Sequence, residues 1–319
     1  MLRTIRKIAV IAGLLVLSWP AAAQYPNRPV RIIVPFPAGS ASDTVTRIVA
    51  QYLSTSFGQP VVVENKPGAD GSIAASEIVR TAPDGYTLLM ATNSPMSAVP
   101  AMRRVRPYDP MADFTPISFV GRFNYFVVIN SGVPAKTLSE FFDYARKNPA
   151  KINYGTGNTT GIVTTAQLMN LAGVKMMHIP YKGEPPAITD MVAGRVEFMV
   201  ATQTTTLPFV KDGKLVALAT TSSVRSRAMP DVPTIAEAGF GKVSIVPYAA
   251  LFAPPKTPPE IIERINRDVN ALLGRPDIKE KLETQFFEAS GSTPAQLTTF
   301  IGEQLEVWSK AVNELGLRE

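Results

Sequence analysis

Residues 30–43, Val30-Arg31-Ile32-Ile33-Val34-Pro35-Phe36-Pro37-Ala38-Gly39-Ser40-Ala41-Ser42-Asp43, decide the fold class. Val30 to Val34 is an apolar run rich in β-branched residues that stops at Pro35, Pro37 and Gly39. That is the pattern of a buried strand and its exit loop. From Ala41 the apolar positions Val45, Ile48, Val49, Tyr52 and Leu53 recur at i, i+3, i+4, i+7 and i+8, and Gly58 and Pro60 close the segment. This spacing predicts one amphipathic helix.

The same strand, loop and helix cycle recurs down the chain. Strands are expected at 61–63, 87–90, 126–129, 152–154, 176–179, 196–200 and 215–219, with helices from about Ser72, from Ser94, over 137–146 and over 162–171. Thr137 and Glu140 have capping-box spacing. About eight strands alternating with helices predict parallel sheets in an α/β fold, as one sheet or two smaller ones. The C-terminal part is helical over 260–273 and 294–315. In the second of these helices Leu297, Phe300, Ile301, Leu305, Trp308 and Val312 share a face, and Thr293 before Pro294 is a natural N-cap. No internal repeat or low-complexity linker marks a boundary.

The chain of 319 residues is long enough for two domains, and with 45% apolar and 18% charged residues it can form a core. With no cysteine and one histidine, His178, it has no disulfide, thiolate metal site, Cys nucleophile or multi-histidine centre. Arg3, Arg6 and Lys7 precede an apolar run from Ile8 to Trp19, followed by Pro20 and Ala21-Ala22-Ala23. These features predict a secretory signal peptide over 1–23, cleaved before Gln24. Its removal lowers the formal charge from +6 to 6 − 3 = +3. The remaining basic residues are scattered, so a nucleic-acid footprint is unsupported. A soluble protein outside the cytoplasm is expected.

Two strand-to-helix loops share a chemistry: Pro35 to Asp43, and Gly155-Thr156-Gly157-Asn158-Thr159-Thr160-Gly161. A helix N-terminus presents unpaired N–H groups and the positive end of its dipole, and glycine lets a ligand approach the main chain. Ser40, Ser42, Thr156, Thr159 and Thr160 add hydroxyls, and neither loop contains Lys or Arg. Such loops favour a carboxylate held by neutral donors and water over a phosphate, although either alone is also what an ordinary capped turn looks like. With Ser40 as N-cap, Asp43 occupies N3, where a structural bond back to the loop takes precedence over ligand contact.

Enzyme motifs fail on inspection. Gly155, Gly157 and Gly161 are spaced one residue too far for the dinucleotide fingerprint, and no acid follows about twenty positions on. There is no nucleophile elbow or Walker sequence. His178, between Met177 and Ile179, is expected to be a packed or hydrogen-bonded strand residue. A secreted hydrolase using His178 is the rival reading, and a ligand-sensing adaptor for a membrane sensor is a third.

Several segments resemble the periplasmic substrate-binding proteins of tripartite tricarboxylate transporters, the Bug or TctC family. They are YPNRPV from Tyr25, PFPAGSASD from Pro35, GQPVVVENKPGADGSIAA from Gly58, PDGYTLL from Pro83 and DFTPIS from Asp113. HIPYKGEPPAITDMVAG from His178, GKLVALATTSSVRS from Gly213, MPDVPTIAEAGF from Met229 and FAPPKTPPEII from Phe252 follow in the expected order. The resemblance implies a two-lobed periplasmic-binding fold of type II character, each lobe a mixed sheet flanked by helices, with the ligand cleft between lobes. Lobe 1 would comprise 24–124 and 246–319, and lobe 2 would comprise 125–245. It further implies a non-enzymatic, monomeric protein without cofactor or metal that binds a small organic acid, a dicarboxylate by preference, and delivers it to a membrane permease.

The site residues expected on this basis are Phe36, Ala38, Gly39, Ser40 and, secondarily, Asp43 from one side. Thr156, Gly157, Asn158, Thr159 and Thr160 come from the other, with Asn93, Ser94, Tyr181 and Gln203 as specificity contacts. Replacing Gly39 by Val is expected to obstruct the main-chain approach. Against the family pattern, Ser40 replaces a second glycine, the second loop lacks a His, and Ala201 to Thr204 stand where an acid is common. The far end of the ligand would then meet hydroxyl and amide groups.

Overall fold

The computed structural model describes residues 25–149, 151–241, 245 and 247–318. The signal peptide expected over 1–23 lies outside them. Two sheets organise the chain. The first contains β1 (Val30–Val34), β2 (Val61–Asn65), β3 (Thr87–Thr92) and β4 (Thr115–Phe123), and the second contains β5 (Tyr125–Asn130), β6 (Asn153–Thr156), β7 (Met177–Pro180), β8 (Phe198–Thr202) and β9 (Leu215–Thr220). The chain then returns to the first sheet with β10 (Tyr248–Ala253) and β11 (Phe287–Ala289). The orders are β11-β4-β10-β3-β1-β2 and β7-β6-β8-β5-β9.

Both sheets are mixed, as the resemblance implies, whereas the alternating pattern by itself pointed to parallel sheets. β1 runs parallel to β2 and β3, and β6 runs parallel to β7 and β8. β10 lies antiparallel to β3 and β4, β11 antiparallel to β4, and β5 antiparallel to β8 and β9. β5 and β10 are the first strands after the two crossings between sheets, and β11 is an edge strand. Only Asn124 separates β4 from β5, so the chain changes sheets in one residue.

The helices are α1 (Ala41–Phe57), α2 (Ser72–Val79), α3 (Val99–Met102), α4 (Leu138–Lys147), α5 (Thr159–Ala172), α6 (Glu184–Val192), α7 (Gln203–Lys211), α8 (Pro259–Gly274), α9 (Pro276–Glu283) and α10 (Pro294–Glu314). α1 buries Val45, Ile48, Val49 and Leu53, as its spacing requires, and Gly58 ends it in the left-handed conformation that glycine accepts readily. Leu297, Ile301, Trp308 and Val312 are the buried stripe of α10, whose Thr293 and Gln296 form a capping box. At α4 the Thr137 hydroxyl accepts from Glu140 N, but Glu140 Oε2 accepts from Lys136 N at 2.7 Å, so the return bond falls one residue earlier than expected. The helix expected from Ser94 begins as a π-helical turn over Ser94–Ala98 before α3. No described helix is long and apolar enough to cross a membrane.

Candidate functional site

Five chain segments leave the C-terminal ends of strands and start helical turns around one small cavity, the position where open α/β sheets bind ligands. Ser40 is the N-cap of α1, Asn93 precedes the π-helical turn, Asn158 caps α5, Glu184 is the first residue of α6 and Thr202 is the N-cap of α7. All five line the cavity, together with Phe36, Ala41, Ser42, Thr92, Ser94, Phe123, Tyr125 and Gly157. Its volume is about 30 Å³. No Lys, Arg or His lines it, and Glu184 is its one carboxylate.

The first loop is built from its own side chains. Ser40 Oγ accepts from Asp43 N at 3.3 Å, and Gly39 N donates to Asp43 Oδ2 at 3.0 Å. Arg47 Nε and Asn65 Nδ2 also donate to the Asp43 carboxylate, at 3.0 and 2.9 Å. Burial opposes charge on Asp43, but Arg47, the Gly39 N–H and Asn65 together hold its carboxyl below the usual range. Asp43 therefore ties down the start of α1 and is not among the cavity-lining residues. Ala38 and Gly39 are exposed and do not line the cavity either. Gly39 has φ +79°, and an added Cβ would meet nothing within 4 Å. Val at Gly39 would thus strain the backbone without meeting any protein atom.

In the second loop Asn158 Oδ1 accepts from Gly161 N at 3.0 Å, while its Nδ2 donates to Glu184 Oε1 at 2.8 Å. Gly157 is required by close approach, since a Cβ there would sit 2.3 Å from the backbone N of Glu184. Thr159 and Thr160 reach across the cleft: the Thr159 and Ser94 hydroxyls are 2.7 Å apart, and Asn93 Nδ2 donates to Thr160 Oγ1 at 2.7 Å. Beside these bonds Pro37 packs on Gly183, where an added Cβ would lie 2.4 Å from Pro37 Cδ. Thr156 Oγ1 is 2.6 Å from His178 Nε2, and the imidazole stacks on Tyr154 with ring centroids 4.8 Å apart. Partial burial of the ring lowers the His178 pKa, although the residue as a whole is exposed. This is a hydrogen-bonded strand histidine.

Thr156, Thr159 and Thr160 are not among the cavity-lining residues either, and two further expected contacts are elsewhere. The Tyr181 hydroxyl donates to Asp190 Oδ2 at 2.7 Å, and Gln203 Nε2 donates to Ser226 Oγ at 2.5 Å in the wall of a separate cavity that also holds Asn124. Sequence reading missed Ala41, Thr92, Phe123, Tyr125, Glu184 and Thr202, and named Ser42 as a loop hydroxyl without placing it in the expected site. The signal for Glu184 was available: an acid directly after Gly183 and before Pro185, the composition of a helix first turn. Its carboxylate accepts from the Thr202 N–H at 3.0 Å, and the Thr202 and Thr205 hydroxyls are bonded to Oε2. Burial raises its pKa against those donors and Asn158. Among the described residues, no group of three or more His, Cys, Asp or Glu could hold a metal ion.

A family model described as "Tripartite tricarboxylate transporter family receptor" matches residues 45–317. The chain is 33% identical to protein BugT of Bordetella pertussis over 324 residues, covering 100% of this chain and 99% of that protein. Two solved structures from Rhodopseudomonas palustris are also similar. One, determined with adipate, has 30% identity and TM-score 0.88, covering 92% of this chain and 98% of that one. The other, with bound malate, has 29% identity and TM-score 0.84, covering 90% of this chain and all of that one (100%).

Proposed function

Because the chain belongs to the tripartite tricarboxylate transporter receptor family, we propose that it captures a small carboxylic acid between its lobes and delivers it to a cognate membrane permease. The observation that carries this reading is the convergence of helix starts, supplied by both sheets, on a cavity whose polar lining is hydroxyls, amides and the single carboxylate of Glu184, without a lysine or arginine. Such a wall holds an anion through oriented N–H dipoles and charge-assisted hydrogen bonds of about 1.5–3 kcal/mol each. It offers no nucleophile and base aimed at one reacting atom. The adipate and malate in the two similar structures support a small carboxylic acid, a dicarboxylate by preference, as the ligand class.

A cavity of about 30 Å³ admits about one water. An organic acid therefore enters when the lobes part, and closure around it brings the Asn93–Thr160, Ser94–Thr159 and Pro37–Gly183 pairs back toward contact over a larger space than the cavity here. The moving units are residues 24–124 with 246–319, and residues 125–245, hinged where Asn124 joins β4 to β5. Ser40, Ser42, Asn93, Ser94, Asn158 and the backbone of Gly157 are the ligand contacts in this reading. The protein acts as a monomer in the periplasm after cleavage of residues 1–23.

The test is native mass spectrometry of protein purified from the periplasm, followed by calorimetric titration with a panel of carboxylic acids. The expected result is a monomer that begins at Gln24 and binds at least one acid. A protein that ignores every acid in the panel and binds a neutral sugar or an amine would overturn the reading.

A further inference from the structure

An acid stands inside a cleft whose ligand is an acid. Glu184 is 4% exposed and lines the cavity at the first turn of α6. Asn158 Nδ2 and the Thr202 N–H donate to its Oε1 at 2.8 and 3.0 Å, and at Oε2 it meets the Thr202 hydroxyl and, at 2.8 Å, the Thr205 hydroxyl. These four partners match the roughly four lone-pair positions of a carboxylate. None of them is charged. The carboxylate is solvated by dipoles and not neutralised by a cation.

Two like charges enclosed in one poorly hydrated site disfavour each other's ionised forms. An entering anion and Glu184 are such a pair, and the conflict grows with each negative charge on the ligand. We propose that Glu184 sets the ligand charge the cleft accepts: it favours an acid with one net negative charge and admits a dianion only when it takes up a proton itself. The proposal rests on the carboxylate reading above.

The surrounding network accommodates that proton without moving a heavy atom. The Thr202 hydroxyl lies 2.9 Å from Thr205 Oγ1, so it can turn its hydrogen there and accept from a protonated Oε2. Burial already raises the Glu184 pKa. The other titratable groups nearby do not compete. Tyr125 on β5 is fully buried, with its pKa pushed well above its ordinary value, and His178 on β7 is bonded to Thr156. From the opposite side of the cleft, Asp43 is paired with Arg47 outside the cavity lining.

The test compares diacids with their monoamides at equal length: succinate with succinamate, glutarate with glutaramate, and adipate with adipamate. Each is titrated into the wild type and into Glu184→Gln, which keeps the side chain's shape. For the length that binds, the wild type should favour the monoamide, and Glu184→Gln should shift the affinity ratio toward the diacid by at least tenfold. An affinity ratio that stays within twofold of the wild type overturns the proposal while leaving the carboxylate reading intact. If neither protein binds any of the six, the carboxylate reading falls and takes the proposal with it. Should Glu184→Gln fail to fold, calorimetry of the wild type at pH 8 in buffers of different ionisation enthalpy gives the proton count. The diacid should take up close to one proton more than the monoamide, and equal uptake overturns the proposal.

Discussion

Gly183→Ala separates closure from folding. Gly183 has φ 172° and ψ 173°, an extended conformation open to any residue, so alanine brings no backbone strain. Its Cβ would instead lie 2.4 Å from Pro37 Cδ and 2.7 Å from Pro37 Cγ, against about 3.5–4.0 Å for an unstrained carbon contact. Pro37 follows β1 in the first sheet and Gly183 follows β7 in the second, so the clash exists only when the two sides meet. The surfaces must retreat by more than about 1 Å, and overpacking of this kind costs about 1–3 kcal/mol. Charged to the closed state alone, that weakens ligand binding by roughly 5- to 150-fold. Titration calorimetry with a bound acid reads the affinity, and thermal melting without the acid reads the fold. The expected result is a weakened affinity with little change in melting, restored in part by adding Pro37→Ala. An affinity equal to wild type, or a loss that Pro37→Ala leaves untouched, would refute the reasoning.

Ser94→Ala removes the hydroxyl that meets Thr159 across the cleft, a bond of about 0.5–1.5 kcal/mol, so calorimetry should show up to about tenfold weaker binding. Asp43→Asn should lower chemical-denaturation stability by about 1–2 kcal/mol at pH 7, since the first loop, Arg47 and Asn65 all bond to that carboxylate. Its folded pKa is depressed, so the wild-type advantage is present above about pH 4 and disappears as pH falls through the lower folded value; parallel denaturation at pH 7 and pH 3 checks this. His178 is exposed as a residue and only its ring is partly buried, so the lowering of its pKa makes only a small, solvent-screened loss of stability as pH falls below about 6.5. His178→Gln should remove that component of the pH slope and leave acid binding within about twofold, as measured by melting and titration.

The parts of the fold most legible in the sequence were those built from local contacts. β1 and α1 follow from alternating run, loop and helical spacing, and the Ser40 and Thr293 caps follow from side chains bonding within three residues. The antiparallel strands were not legible. Tyr248-Ala249-Ala250-Leu251-Phe252-Ala253 has the alanine content of a helix, yet it is wholly buried as β10 between β3 and β4. Tertiary placement overrides local propensity there. β4 contains Pro116 and Gly121, which argue against a central strand, and its pairing with β10 has register shifts that accommodate the irregularity. Gly121 also admits the backbone of β11, since an added Cβ would lie 2.4 Å from the Glu288 carbonyl oxygen.

At the site, Phe36, Ser40, Asn93, Ser94, Gly157 and Asn158 were chosen because they stand in strand-exit loops, and the structure gathers them around one cavity. Thr92, Phe123, Tyr125 and Thr202 lie at strand ends, where sequence pattern marks only burial. Which strand ends face one another depends on the two sheet crossings, a long-range property. Tyr181 illustrates the reverse: its loop position suggested a ligand contact, but Asp190 two turns along α6 takes its hydroxyl.

The central claim is that helix starts and neutral donors hold a carboxylate as an anion. It is tested most directly by titrating the protein with adipate and malate and with the dimethyl ester of each. The acid that fits should bind at least a hundredfold more tightly than its ester, because the ester cannot accept charge-assisted bonds from the cleft. An ester that binds as tightly as its acid would contradict the account.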